Sequence, residues 1–236
     1  MLRTLMSYAK LNRLCNVHPI EKAILFLLPI IVCGFVKNSI VILLINILTM
    51  IAIHIILRNP KTIILKFTKG ILIFSIFTSI SLIFDQSIRY IAILILKSIS
   101  GVLSILLFTM TTPIEDVFYL GSKSSLFKDI CDIAKNMIRF LILIEDEYLL
   151  LKNAMKSRQG FITTKFKVIN GAKVMGFLFV NTMRRWKEIS DSIESRGYRG
   201  NTVYLERKFE FSKLRFGLGC FYNIILVVLI LSFDKI

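Results

Sequence analysis

Two arginines in similar short motifs are the residues of this chain best suited to bind another molecule. The motifs, 38 residues apart, are Ser157-Arg158-Gln159-Gly160 and Ser195-Arg196-Gly197. A guanidinium group offers a planar fork of donors that forms bidentate, charge-assisted hydrogen bonds. The repeated motif therefore predicts two attachment points for a soluble partner.

The same arginines also have a purely structural interpretation. Each stands at the predicted end of a long helix, where a cation complements the helix dipole and contributes about 0.3–1 kcal/mol. Glycine just beyond the last turn is a common stop signal, and Gly160 is able to supply a left-handed cap for the first helix. Partner binding and helix termination both stay open at this point.

No other residues predict catalysis, a cofactor or a metal site. His18 and His54 have no thiol or carboxylate at ligand spacing, so we expect a cap or interface residue and a helix-packing group, respectively. The four cysteines are scattered and predict free thiols. A Walker A motif is missing, so we do not expect this chain to hydrolyse ATP. The run Glu145-Asp146-Glu147 is interpreted as a solvated face, with a contact to basic partner residues as the alternative.

The composition predicts a membrane protein. Hydrophobic residues make up 55% of the chain and the mean hydropathy is +0.70, which is too apolar for an ordinary soluble domain. A charge-free run such as 39–57 can cross about 30 Å of hydrocarbon as a helix. We expect an all-α polytopic membrane protein with about five transmembrane helices. The apolar runs lie at about 23–36, 39–57, 63–84, 90–110 and 216–233.

Charge predicts the orientation of these helices. With the N-terminus inside, 27 of the 31 Lys and Arg residues fall on the cytoplasmic side, as the positive-inside rule requires. Lys97 lies within the fourth run, where it either faces helices or a polar cavity or extends to the outer interface. We expect a multi-pass protein of the cell membrane in contact with the lipid bilayer. Its net charge of +16 is dispersed and does not predict nucleic-acid binding.

Three regions follow from this orientation. They are a membrane region with four transmembrane helices at 1–110, a cytoplasmic helical region at 111–215 and a C-terminal transmembrane helix at 216–236. Within the cytoplasmic region, apolar residues at a spacing of three or four predict long amphipathic helices.

The helices of the cytoplasmic region have predicted limits. They are expected at about 114–121, from Asp129 to the first motif, and from Thr163 or Thr164 to the second. The last helix has an apolar stripe that includes Phe179, Met183 and Trp186, and we expect this stripe to pack against membrane or partner helices. Alternatively, 168–183 forms a further span, with one motif on each side of the membrane.

Several stretches of the chain resemble one family of membrane proteins. The segments around Arg158 and Arg196 resemble the paired coupling motifs of the transmembrane T components of energy-coupling factor (ECF) transporters. The cobalt-type, CbiQ-like branch is similar near the N-terminus, at Tyr8-Ala9, Leu11-Asn12-Arg13 and Asn16-Val17-His18-Pro19-Ile20-Glu21-Lys22. The Thr112-Pro113 helix start also fits. Here Ser replaces the more usual Ala before each Arg, and Gln159 separates Arg158 from Gly160.

The resemblance implies a non-enzymatic scaffold without a cofactor. A T component joins a substrate-binding membrane S component, here a metal-binding CbiM-like subunit, to two ABC-type ATPases. Each coupling helix ends in an ATPase groove, where its Arg pairs with acidic groups. The implied coupling residues are Ser157, Arg158, Gln159, Gly160, Ser195, Arg196 and Gly197. The implied function is to couple ATP hydrolysis to substrate uptake, with cobalt or nickel ions as the substrate.

Three other functions remain as alternatives. The first is a shared T component that serves several vitamin-binding subunits, because the family assigns substrate recognition to another subunit. The second is a membrane anchor that recruits a soluble protein without transport. The third is an intramembrane enzyme, against which the missing His/Glu and Ser/His constellations count.

Overall fold

The computed structural model describes residues 2–84, 86–124, 126–197 and 209–233. These residues form ten α-helices and one isolated bridge between Val17 and Glu210. The helices are α1 (Leu2–Leu11), α2 (Pro19–Phe26), α3 (Leu28–Gly34), α4 (Ile40–Ile56), α5 (Lys61–Leu82), α6 (Ile88–Thr111), α7 (Ile114–Ser122), α8 (Lys128–Ser157), α9 (Thr164–Ser195) and α10 (Lys213–Phe233). The predicted all-α fold is confirmed.

The chain forms two compact units. The first, called the membrane unit below, comprises Met1–Val117 and Arg207–Ile236. The second, called the hairpin unit, comprises Phe118–Glu206. Three helices of the described chain are long and apolar enough to cross a membrane, namely α5, α6 and α10. All three belong to the membrane unit, and α4 is apolar but shorter, with 17 residues.

The first apolar run is not one continuous helix, contrary to the prediction. It is divided at Leu27 into α2, with eight residues, and α3, with seven. Pro29 lies in the first turn of α3 and has no backbone N–H, and its ring crowds the carbonyl group four residues earlier. Proline therefore breaks a run whose hydropathy alone predicted a span.

Helix α6 is the centre of the membrane unit. It packs against α1, α2, α3, α4 and α5, while α10 packs against α2, α3 and α4. Leu103 and Leu107 of α6 are buried together with Phe26, Ile47 and Met50. Apolar side chains from several other helices bury α6, so the core of the membrane unit lies along this helix.

A fully buried amide connects α4 to three other helices of the membrane unit. Asn46 of α4 donates from Nδ2 to Ser100 Oγ at 2.7 Å and to Cys33 Sγ at 3.3 Å. Its Oδ1 accepts from the Tyr222 hydroxyl of α10 at 2.6 Å. Because a polar group buried without a partner is costly, this arrangement fixes α4 against α6 and α10 at one register.

His54 is the helix-packing group that the sequence predicted. Its Nδ1 accepts from Asn59 Nδ2 at 2.9 Å, and Nε2 then carries the proton and donates to the Leu103 carbonyl at 3.2 Å. Asn59 Oδ1 accepts in turn from Asn12 Nδ2 at 3.1 Å. The other histidine, His18, caps α2 by accepting from the Ile20 N–H, so its predicted role as a cap is also confirmed.

Lys97 has the polar surroundings expected for a cation within an apolar helix. Its Nζ donates to the Gly34 carbonyl at the end of α3, at 2.9 Å. It also borders a cavity of about 280 Å³ together with Cys33, Ser98 and Ser100. The ammonium group thus satisfies a carbonyl that the end of a helix leaves unpaired.

We predict that Asn46→Ala lowers the free energy of unfolding by about 1–3 kcal/mol, because Ser100 loses its partner inside the core and Tyr222 keeps only its contact with Thr49. Thermal unfolding of the detergent-solubilised chain measures the loss. Thr109→Ala is the control, since the Thr109 hydroxyl is exposed and bonds only within its own helix, to Ile105. Equal losses in the two variants would contradict the role of Asn46.

Candidate functional site

The first motif ends α8 in a complete hydrogen-bonded cap. Ser157 is the last helical residue and Arg158 is the C-cap, with φ −87° and ψ 16°. The Gln159 N–H donates to the Lys156 carbonyl at 3.0 Å, and the Gly160 N–H donates to the Met155 carbonyl at 2.9 Å. These two bonds define a Schellman motif, which terminates a helix at a fixed residue.

The second motif ends α9 in the same way. Ser195 is the last helical residue, and Arg196 is the C-cap with φ −85° and ψ 7°. The Gly197 N–H donates to the Glu194 carbonyl at 2.9 Å, and Gly197 has φ +72°. Arg158 and Arg196 therefore occupy equivalent positions at the ends of two long helices.

The residue that reverses the chain after Arg158 is not the one expected. Gln159, with φ +55°, adopts the left-handed conformation that the sequence assigned to Gly160. Gly160 is favoured for another reason, because a Cβ atom there would be in tight contact, 3.0 Å from the Met155 carbonyl and 3.1 Å from Asn170 Nδ2. The extra residue in the first motif moves the glycine one position beyond the turn.

Both motif serines turn back onto their own helices. Ser157 Oγ donates to the Asn153 carbonyl at 3.0 Å, and Ser195 Oγ donates to the Ser192 carbonyl at 2.9 Å. Serine hydroxyls commonly bond the preceding turn in this way. The serines thus act here as small residues whose polar atom is already satisfied.

Both motif arginines are exposed. Ser157, Gln159, Ser195 and Gly197 are exposed as well, and Gly160 is half-buried. Among the described residues, ion pairs join Lys10 to Glu115, Arg185 to Glu147 and Arg215 to Glu21, and none of them includes Arg158 or Arg196. In this part of the chain the two guanidinium groups are available to a partner.

Helices α8 and α9 form an antiparallel hairpin. At its turn, Asn170 Nδ2 donates to the Gly160 carbonyl at 2.6 Å. At mid-length, Glu147 accepts from Asn181 Nδ2 at 2.9 Å and pairs with Arg185 at 3.4 Å. The interpretation of Glu147 as a solvated residue is wrong, because its carboxylate lies between the helices, with 20% of its side chain exposed.

The antiparallel arrangement places the two motifs at opposite ends of the hairpin. Arg158 lies at the turn, next to the residues that contact Asn170. Arg196 lies beyond the far end of α9, about 40 Å away at about 1.5 Å per helical residue. The two arginines therefore do not form one joint site but two separate ones at the ends of a helix pair.

A groove beside Arg196 includes a second arginine that the sequence did not single out. The groove has a volume of about 590 Å³ and is lined by Arg139 of α8 and by Trp186, Ile189 and Arg196. Arg139 reaches this position because the antiparallel register sets the first third of α8 against the last turns of α9. The periodicity of the sequence does not show which residues of α8 lie beside α9, so Arg139 could not be identified as a neighbour of Arg196 from the sequence.

Most of the apolar stripe of α9 faces away from α8, although Trp186 also borders the groove shared with Arg139. Its large members are exposed within the chain: Val168 by 70%, Met175 by 58%, Phe179 by 65%, Met183 by 49% and Trp186 by 58%. The contacts with α8 come instead from the opposite face, where Val174 is buried. That the stripe packs against membrane or partner helices stays a prediction.

Comparison with known proteins gives the family. Residues 12–205 match the family described as CbiQ, cobalt transport protein. The chain belongs to the CbiQ family. This confirms the resemblance found in the sequence. Both motifs lie within the matched residues.

Two relatives resemble parts of this CbiQ-family chain. One relative is a protein of Methanocorpusculum labreanum that is named as a fused cobalt transport protein, CbiMQ. It is 26% identical over 145 residues, which are 57% of this chain and 24% of the relative. An uncharacterized protein of Methanocaldococcus jannaschii is 24% identical over 110 residues, 47% of this chain and 41% of the relative. The chain spans less than half the length of either relative.

We predict that Gln159→Gly raises the free energy of unfolding of the hairpin unit by about 1 kcal/mol, because a left-handed backbone strains a residue with a Cβ atom. Gly197→Gln should lower it by a similar amount. Trp186, the single tryptophan, lies in α9 and reports unfolding of this unit by fluorescence.

Gln159→Ala is the matched control for this prediction. It removes the same side-chain amide but keeps a Cβ atom at a left-handed residue, so it should give no stabilisation. A gain for alanine equal to that for glycine would contradict the explanation by backbone strain.

Proposed function

We propose that this chain is the T component of an ECF-type importer, a scaffold that couples ATP hydrolysis by two ABC-type ATPases to the uptake of cobalt or nickel ions. One observation carries the proposal. Two exposed arginines occupy the same capping position at the ends of two helices of 30 and 32 residues. Membership of the CbiQ family supports the choice of a cobalt-type system.

Each motif is proposed to enter a groove of one ATPase. Arg158 and Arg196 would each form a bidentate, charge-assisted pair with a carboxylate there. Because the motifs lie at opposite ends of the hairpin, each is free to attach to a different ATPase. The caps at the ends of α8 and α9 hold the backbone on both sides of each arginine, so each guanidinium group extends from a fixed backbone position.

The hairpin is suited to transmit a displacement. When ATP closes the ATPase dimer, the two attached helix ends move relative to each other. Contacts at the turn and at mid-length join α8 to α9, through Asn170 and Glu147. A movement applied at either end is thereby passed to the other helix and not absorbed in a loose connection.

A second partner is proposed on the outer face of α9. The stripe from Val168 to Trp186 leaves large apolar side chains exposed on one side of the helix, and such a face favours contact with another apolar surface. We assign it to a substrate-binding membrane subunit of the CbiM type. The relative named as a fused CbiMQ supports this assignment, since its name joins the two proteins in one chain.

The proposal includes an orientation in the membrane. The N-terminus and residues 111–215 are cytoplasmic, with 1–110 and 216–236 as the membrane regions that flank them. The excess of Lys and Arg on that side supports this orientation. The alternative in which 168–183 spans is disfavoured, because α9 is not among the described helices that are long and apolar enough to cross a membrane.

We predict that Ser157→Cys and Ser195→Cys react with a membrane-impermeant thiol reagent from the cytoplasmic side only. Both positions are exposed, and three of the four native cysteines are buried, so a Cys220→Ser background keeps unspecific labelling low. Gln86→Cys, between α5 and α6, is the control that should react from the outer side. Labelling of the two motif positions from opposite sides would eliminate this topology.

We predict that the double variant Arg158→Ala/Arg196→Ala inserts into the membrane but loses uptake almost completely. Removing one partner of a buried, hydrogen-bonded charge pair costs about 2–5 kcal/mol at an interface. Replacement by Lys should rescue uptake poorly, because an ammonium group lacks the bidentate fork. The measurements are ion uptake, ATPase activity and co-purification of the ATPases, made for each single variant and for the double variant.

The same variants separate coupling from simple helix termination. A cation that only complements the helix dipole contributes about 0.3–1 kcal/mol and is replaced well by Lys. Arg184→Ala is the matched control, since Arg184 is an exposed arginine of the same hairpin that lies outside both motifs and does not line the groove beside Arg196. Uptake and ATPase binding at the level of the unmodified protein in the double alanine variant would refute the proposal.

A further inference from the structure

The membrane unit contains an apolar groove whose function is not explained by coupling. Its volume is about 560 Å³, within the range of pockets that hold small molecules. Apolar side chains of three helices form its walls and floor, among them Ile51 and Ile55 of α4, Leu65 of α5 and Leu103 of α6. Ile55 and Leu65 are 65% and 55% exposed, so the groove is open along the side formed by α4 and α5.

The groove forms between α4 and α5 because both helices pack against α6. Helices α4 and α5 both pack along α6, and Ile99 and Leu103 of α6 line the space between them. Below that space, buried Leu103 accepts the hydrogen bond from His54 through its carbonyl. The floor is therefore held in place by the core, while more exposed side chains such as Ile55 and Leu65 form the walls.

One end of the groove is positively charged. Arg58 and Lys61, which lie in and just after the connection between α4 and α5, both line it and are both exposed. None of its lining residues is acidic. Lys61 is also the first residue of α5, where unpaired backbone N–H groups add positive potential. The apolar groove thus ends at two basic side chains, Arg58 and Lys61, that attract an anion.

Arg58 reaches this place through an unusual backbone. It has φ +52° in a Schellman motif in which the Arg58 N–H donates to Ile55 and the Asn59 N–H donates to His54. Glycine is the usual residue at this position, and a side chain there is strained. Arginine at a position that favours glycine puts a cation at the mouth of the groove at a cost in stability.

We propose that this groove binds an anionic phospholipid. An acyl chain lies between α4 and α5 on Leu103, and the phosphate is held by Arg58 and Lys61. Basic pockets between transmembrane helices are a common means of binding anionic headgroups. A phospholipid matches both parts of the site, the apolar groove and its basic end. A soluble anion would use only the basic end and leave the apolar groove without a ligand. In the orientation proposed above, the lipid belongs to the cytoplasmic leaflet, although the site itself does not depend on that orientation.

Native mass spectrometry of the purified full-length chain tests the proposal. The chain is titrated in detergent with phosphatidylglycerol or phosphatidylcholine of the same acyl chains, and the affinities are compared. We expect a preference for phosphatidylglycerol that falls about 30-fold in Arg58→Gly/Lys61→Gln, where glycine keeps the left-handed backbone. Ile55→Trp, which fills the groove, should weaken the binding of both lipids.

Lys66→Gln/Lys69→Gln is the matched control. It removes the same charge from α5 at two exposed lysines that do not line the groove, and the preference should change less than about threefold. An equal loss in both double variants would overturn the proposal in favour of general attraction to a basic surface. Glycerophosphoglycerol, the headgroup without acyl chains, should not displace the lipid. Displacement at equal concentration would contradict the proposal, because it would show that the site binds anions without using the apolar groove.

Discussion

The membrane unit depends on one constraint, that polar groups between apolar helices must find partners inside the protein. Asn46 meets it with a single amide that bonds to Ser100, Cys33 and Tyr222. Apolar packing tolerates small shifts of one helix along another, whereas these directional bonds do not. The position of α4 against α6 and α10 is therefore defined by hydrogen bonds, and the apolar contacts supply most of the attraction.

The hairpin unit solves a different problem, the exact termination of two long helices. A helix end frays unless its last carbonyls are bonded, and each motif supplies a left-handed residue directly after the arginine. The arginine is then the last residue whose backbone is fixed by the helix. One position earlier it would lie on the helix wall, and one position later it would belong to the connection.

The sequence predicted the hairpin helices closely because periodicity and stop signals agree there. The expected helices at 114–121, from Asp129 and from Thr163 or Thr164 are found as α7, α8 and α9. The errors have physical causes that such patterns do not contain. Hydropathy does not register the break at Pro29, and composition does not show that Glu147 faces Asn181 across a hairpin. The left-handed role passed to Gln159 because helix α8 ends at Ser157, one residue before the end that Gly160 in the left-handed position would indicate.

The C-terminal ends of α8 and α9 have equivalent caps, but they differ in their contacts with the neighbouring helix. The turn after Arg158 is held to α9 by Asn170, and a Cβ atom at Gly160 would be in tight contact with Met155 and Asn170 there. Arg196 has no such support among the described residues and borders an open groove with Arg139 instead. A force applied at Arg158 therefore reaches both helices at once, whereas a force at Arg196 enters α9 first and reaches α8 through Glu147. If both ends are attached to ATPases that move alike, the hairpin responds asymmetrically, because the stiffness lies in the turn and not in the helix ends themselves.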